Sequence, residues 1–189
     1  MQIGKVSSQL ADYIESAIMK DAKITWFLET ETSLADRDDP AIIFTHDTGE
    51  GPQLVRPVFY DGEVESDSCW IYYNFCRPII RELDFDEELL SRIKINMLLP
   101  RDVDYMWHTP HVDSTDKHIV LLYYVNDSDG ETYFFQEKYD GTIKKNGTIV
   151  KIIKPEKGKY VIFDGTQFHA SSQPSNNLRS VINFNFHAD

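Results

Sequence analysis

Apolar residues recur with two different periods along this chain, and the change falls near residue 92. On the N-terminal side, Leu10, Tyr13, Ile14, Ala17 and Ile18 recur at i, i+3, i+4, i+7 and i+8. That spacing predicts an amphipathic helix capped by Ser7 or Ser8. Residues 24–28 form a short apolar run that reads as a strand. Residues 30–39 are acidic and loop-like, and 47–52 have turn composition. Asp67 and Ser68 stand as caps of a second helix through Trp70, Tyr73 and Phe75, with Pro78 kinking or splitting it. Residues 84–92 read as a further helical turn, acidic at its start and basic at its end as the helix dipole favours.

Beyond residue 92 the period becomes two. Ile93, Ile95 and Met97 alternate with Lys94 and Asn96, and residues 118–125 are a β-branched and aromatic run with the pattern of a buried strand. Further strands are expected at 131–137, 142–145, 148–154, 159–163, 168–171 and 179–186. Turn residues at 126–130, Asp140-Gly141 and Asn146-Gly147 separate the first of them. Short strands at this spacing predict an antiparallel sandwich or barrel. The chain reads as one domain, 1–189, with a helical or irregular support region (1–92) before a mainly β core (93–189). No repeat or low-complexity tract interrupts it.

Composition narrows the function classes. The 189 residues carry 19 Lys and Arg against 31 Asp and Glu, a formal charge of −12. A general nucleic-acid binder needs a basic face to displace counterions, so nucleic acid is not an expected partner. The longest apolar run, 119–125, is seven residues, far short of the ~20 that cross a bilayer. With no apolar leader segment at the N-terminus, no membrane association is expected and the location is expected to be cytoplasmic. Cys69 and Cys76 are seven apart in a helical pattern, roughly 10 Å of helix, too far for a disulfide. Both read as buried thiols.

Three of the six histidines invite a metal reading. His111-Val112-Asp113 sets an imidazole and a carboxylate two residues apart, on one face if the segment is a strand. His169 is the natural third ligand. Two His and one carboxylate form the facial set of non-haem Fe(II) oxygenases, which leaves positions open for co-substrate and dioxygen. The triplet alone is near chance, and His187-Ala188-Asp189 repeats it at the end of the chain. Arg179, ten residues after His169, adds weight: an Arg turned into a β core needs an anion to meet it. If it points inward, alternation sends Val181, Asn183 and Asn185 the same way and Phe184 and Phe186 the other.

The ordered set of His111-Val112-Asp113, Asp129-Gly130-Glu131-Thr132-Tyr133-Phe134, Pro155 and Gly158 leading to Phe163, then His169, Pro174 and Arg179, resembles the Fe(II)/2-oxoglutarate-dependent dioxygenases. The resemblance is to their prolyl 4-hydroxylase-like branch, over about half the chain. It implies a double-stranded β-helix (jelly-roll, cupin-like) core. It implies Fe(II) held by His111, Asp113 and His169, with 2-oxoglutarate as co-substrate on the metal and Arg179, and ascorbate as a helper. The carboxylate ligand is present, so hydroxylation is implied rather than halogenation. Tyr105, Tyr123 and Asn96 are the candidates for a further 2-oxoglutarate contact. Some subfamilies have Ser where this chain has Val181. His108 reads as a rim histidine, and Trp107 and Trp70 as core.

The resemblance leaves the substrate open among peptidyl, amino-acid and small-molecule C–H bonds. The nucleic-acid demethylase branch is the rival. It expects Asn where this chain has Ser114, and a second Arg after Arg179 that this chain lacks. An inactive jelly-roll binding module is the reading from a different class.

Overall fold

The computed structural model describes residues 1–20, 25–31, 38–43, 45, 47–65 and 69–188. Alternation and turns divide the chain first into β1 (Gln2–Lys5), α1 (Ser8–Met19), β2 (Phe27–Glu29), β3 (Thr48–Gly49), β4 (Gln53–Tyr60), β5 (Glu63–Val64) and α2 (Cys69–Glu82). A 3-10 turn at Glu87–Leu89 leads into β6 (Leu90–Leu98), then β7 (Trp107–His108) and β8 (His118–Tyr124). The series ends with β9 (Thr132–Lys138), β10 (Ile149–Ile153), β11 (Lys159–Asp164), β12 (Gln167–Ser171) and β13 (Arg179–His187).

The large sheet runs β1-β11-β8-β13-β6-β4-β2 with β5 beside β4, and its pairs are antiparallel. A small antiparallel sheet, β10-β9-β12, lies across from it. On the outer face of the large sheet, Ile93, Ile95, Leu121, Tyr123, Ile182, Phe184 and Phe186 pack against Ile14 and Ile18 of α1 and Cys76, Ile79 and Ile80 of α2. The spacing of those helical residues is the apolar stripe that docks a helix on a sheet. Between the sheets, Val120, Leu122, Tyr124, Val161, Phe163 and Val181 meet Phe134 and Ile153. One end of that layer is filled with side chains and the other is open. No helix among the described residues is long and apolar enough to cross a membrane.

The mainly β architecture with two supporting helices is the one expected, with differences in the first half. β1 and β4 were not expected, and β4 sits deep in the large sheet between β2 and β6. The first ninety residues therefore supply sheet as well as helices. Residues 84–92 give one 3-10 turn and the start of β6, not an α-helical turn. Residues 142–145 hold no strand, only an isolated bridge from Lys144 to Ile43. Asp67 and Ser68, the expected caps of α2, and Ile24, the expected start of β2, lie outside the described residues. Ser7 does cap α1, but its hydroxyl donates to Glu82 Oε2 at 2.8 Å and ties the start of α1 to the end of α2. Both cysteines are buried thiols, as expected.

Candidate active site

Alternation along β13 builds one wall of the open end. Val181, Asn183 and Asn185 share a face with Arg179, while Ile182, Phe184 and Phe186 face the helices. The register sets Asn96 of β6 opposite Val181, Lys94 opposite Asn183 and Arg92 opposite Asn185. These side chains line a cavity of about 570 Å3 between the two sheets, with His111, Asp113 and His169 on its other side.

A single bridge brings the two histidines together. His111 N–H donates to the His169 carbonyl at 3.0 Å and His169 N–H donates back at 3.1 Å, so the rings lie 4.9 Å apart. Asp113 follows in a bend rather than in a strand, yet its carboxylate reaches the same place. Ligand atoms of His111, Asp113 and His169 all lie within 4.8 Å of one another. The expected trio is therefore one cluster, built by a bridge and a bend instead of by strand alternation.

The protonation pattern suits a divalent cation. His111 Nδ1 lies 3.0 Å from the Thr109 carbonyl and His169 Nδ1 lies 3.3 Å from that of Gln167. A carbonyl only accepts, so each Nδ1 carries a proton and Nε2 is the ring atom left to meet a metal. Burial, reinforced by the neighbouring His111, pushes His169 down to about 4, which leaves it neutral at pH 7. Burial alone would raise the Asp113 carboxyl. Arg92 first, then His169 and His111, outweigh that and hold it at about 2. Asp113 Oδ1 faces Arg92 Nη1 at 3.5 Å, while Oδ2 is buried with no hydrogen-bond partner. An orphaned carboxylate oxygen beside two free imidazole nitrogens is a donor set that fits a divalent metal.

Arg179 is turned inward and buried. Its Nε donates to the Gly130 carbonyl at 3.0 Å and its Nη2 to Thr132 Oγ1 at 2.9 Å, with the guanidinium 5.9 Å from the Tyr124 ring centroid. Gly130 is needed there: a Cβ would stand 3.0 Å from Arg179 Cδ and 2.9 Å from the Ser172 carbonyl. Burial presses the guanidinium below its ordinary value, and among the described residues no carboxylate pairs with it. A buried cation without a counter-charge is costly, and an anion in the cavity would relieve it.

The other expected contacts divide. Asn96 lines the cavity with its Oδ1 buried and unpartnered. Tyr123 does not reach it: one residue out of phase with Leu122 and Tyr124, it packs in the helix-facing core, where burial pushes its phenol up. Tyr105 also stays outside, its hydroxyl between Arg101 and His108. His108 is fully buried rather than on a rim, and Trp70 is 52% exposed rather than core, whereas Trp107 packs inside as expected. Sequence reasoning missed Arg92, Ser171 and His118, which all line the cavity. The alternation of Lys94 and Asn96 carried two residues upstream reaches Arg92, and His169 carried two residues on reaches Ser171.

No family model matches the sequence, and no curated protein matches it. Solved structures match in fold. An oxidoreductase of the 2OG-Fe(II) oxygenase family from Burkholderia pseudomallei superposes with a TM-score of 0.57 at 12% identity, over 98% of this chain and 94% of that chain. The epimerase SnoN in complex with Fe3+, alpha ketoglutarate and nogalamycin RO gives 0.60 at 11% identity, over 96% and 75%. A prolyl hydroxylase from Trichoplax adhaerens, solved with a hypoxia inducible factor peptide, gives 0.53 at 12% identity, over 98% and 82%. The chain has the fold of the 2OG-Fe(II) oxygenases, prolyl hydroxylases among them.

Proposed function

We propose that this chain is an Fe(II)- and 2-oxoglutarate-dependent dioxygenase built on a double-stranded β-helix core. It hydroxylates a C–H bond of a peptidyl, amino-acid or small-molecule substrate, consuming O2 and releasing succinate and CO2. One observation carries the reading. A metal-type cluster of His111, Asp113 and His169 and a buried, uncompensated Arg179 open onto the same cavity.

His111 Nε2, His169 Nε2 and one Asp113 oxygen would hold Fe(II). When bound, the metal supplies a site where 2-oxoglutarate and dioxygen meet and oxidative decarboxylation is coupled to C–H oxidation. The protein's own part is to bind and orient. Arg179 takes the distal carboxylate of 2-oxoglutarate, which supplies the missing counter-charge. Thr132 and the Gly130 carbonyl fix the guanidinium in place. The apolar layer of Leu122, Val181 and Phe134 excludes water from the co-substrate's flank. The remaining wall, with Arg92, Lys94, Asn183 and Asn185, faces the substrate.

Purified protein with Fe(II), ascorbate and air is expected to convert 2-oxoglutarate to succinate, slowly without substrate. His111→Ala is expected to abolish metal binding, and Arg179→Ala to weaken 2-oxoglutarate at least tenfold, on the order expected for a lost charge-assisted pair. Calorimetry in which neither substitution alters ligand binding would overturn the reading.

A further inference from the structure

The charge of −12 is not spread evenly along the chain. Residues 138–159 hold seven Lys against two acidic residues, a charge of +5 that leaves −17 on the rest. They run from the end of β9 through a loop and β10 to the start of β11. Four of the seven lysines are paired: Lys138 with Asp164, Lys144 with Asp140, Lys157 with Asp12 and Glu15, and Lys159 with Glu156. Lys145, Lys151 and Lys154 are exposed and make no ion pair among the described residues.

Those three lysines stand along the free edge of a sheet. β10 ends the small sheet, so one side of it pairs with β9 and no strand among the described residues meets the other. About half of the backbone N–H and C=O groups of such a strand turn to the open side. Three of its side chains are apolar and partly in water: Ile149, Val150 and Ile152 are 37%, 52% and 46% exposed. The register places Ile149 opposite Phe135 and Ile152 opposite Tyr133. Cross-strand partners share a face, so both isoleucines continue the apolar layer that Phe135 and Tyr133 form with Trp107 and Phe168. None of these β10 residues lines the cavity.

Lysine on an edge strand refuses a strand of like charge, and a second copy of β10 would bring lysine against lysine. The same charges accept an acidic strand. Nucleic acid fits less well, because residues 138–159 contain no Arg and one aromatic, Tyr139, and so offer no stacking platform. A membrane surface supplies charge but no backbone groups for an open ladder. We propose that the open edge of β10 is a docking site for an acidic polypeptide segment that adds as a further strand. Its Asp or Glu side chains meet Lys145, Lys151 and Lys154, and its apolar side chains meet Ile149, Val150 and Ile152. The β10 ladder slips between Ile149 and Lys151, so the added strand is short and charge supplies much of its hold. The surface lies outside the cavity, and the proposal does not depend on the dioxygenase reading.

The test measures fluorescence anisotropy of labelled peptides, about eight residues or one strand long, against the full chain at low salt. One probe alternates Val with Glu and a second alternates Val with Lys. A third is the Val–Glu peptide N-methylated at every position, so that its backbone cannot donate. The Val–Glu peptide is expected to bind at least about tenfold more tightly than either control, and salt at about 0.5 M to remove most of that binding. Changing all three lysines (Lys145→Glu, Lys151→Glu, Lys154→Glu) is expected to reverse the preference, so that the Val–Lys peptide becomes the tighter ligand. Hydrogen exchange on the parent locates the contact without any variant: the Val–Glu peptide is expected to slow the amides of residues 149–153. Equal binding of the Val–Glu and Val–Lys peptides overturns the proposal, as does full binding of the methylated peptide or slowed exchange that leaves 149–153 untouched. A parent that prefers phosphatidylserine vesicles or single-stranded DNA to the Val–Glu peptide overturns it as well and assigns the edge to that class of partner.

Discussion

Arg92 and Asp113 stand 3.5 Å apart in the cavity wall, and the pairing divides the two oxygens of one carboxylate. Oδ1 faces the guanidinium and Oδ2 has no protein partner, so the carboxylate is offered to a metal through one oxygen. Residues that hold a ligand in this way commonly account for 10- to 100-fold in metal affinity. Arg92→Met, which keeps the stem and loses the charge, is therefore expected to weaken Ni(II) binding by about that range at pH 7. It is also expected to let the buried Asp113 carboxyl titrate higher, since desolvation is then opposed mainly by the histidines. Nickel titration by calorimetry at pH 7 and pH 8 checks both effects. Affinity equal to the parent's at both values would show that Arg92 serves the substrate and not the metal. At this scale the ligand set was legible because metal chemistry restricts it to a few residue types: His111, Asp113, His169 and Arg179 stand out by kind and order. Arg92 and Ser171 were not, because common residue types are brought to a cavity wall only by partners far away in sequence, as with Ser171 and His108, 63 positions apart.

β6 shows how one strand divides the work between its two faces. Ile93 and Ile95 are fully buried against the helices, while Arg92, Lys94 and Asn96 face the cavity. Ile95→Ala is expected to cost about 2–5 kcal/mol of stability, the range for a large-to-small core change, with 2-oxoglutarate affinity retained. Asn96→Ala is expected to do the reverse. Its Oδ1 is buried and unpartnered, so its removal leaves stability within about 1 kcal/mol of the parent or higher, and any loss falls on ligand binding. Urea midpoints and 2-oxoglutarate titrations on the two neighbours separate these outcomes; equal stability losses would refute the division. The same strand shows what patterning conveys. Its alternation was plain, and so were β8 and β13. β4 was not, because Gln53–Tyr60 contains Arg56 and Pro57 and its burial does not alternate. Pro57 lacks the N–H a ladder needs, and the register with β6 slips between Pro57 and Phe59. Arg56 is buried by aromatic and backbone contacts: its guanidinium lies 5.2 Å from the Tyr72 ring and 3.3 Å from the Thr25 carbonyl. A strand that breaks its own period is visible only through the strands that flank it.

The net charge of −12 describes the exterior of the molecule, whereas the cavity holds a cation without a counter-charge and, in His169, an imidazole kept neutral by burial. The contrast has a consequence for pH. His108 and His169 are both pushed down to about 4 in the fold, against 6.5 for an accessible imidazole. Between those values the unfolded chain binds protons that the folded chain refuses, so stability rises with pH through the window. Their contribution is fully present above about pH 6.5 and is lost as pH falls toward 4. Each pKa unit corresponds to about 1.4 kcal/mol, so two such groups are worth a few kcal/mol across the window. Asp113 and Asp164, both held at about 2, act in the same sense only below the ordinary carboxylate value, so their loss falls at lower pH. Overall charge works the other way, because protonation brings a molecule at −12 toward neutrality and relaxes its self-repulsion. A falling urea midpoint of the metal-free protein between pH 6.5 and 4, flat between 7 and 8, is therefore the signature of the buried imidazoles. His108→Asn is expected to remove about half of that slope while its low-pH limb stays. A midpoint that holds steady or rises through the window would mean that both rings accept protons inside the fold.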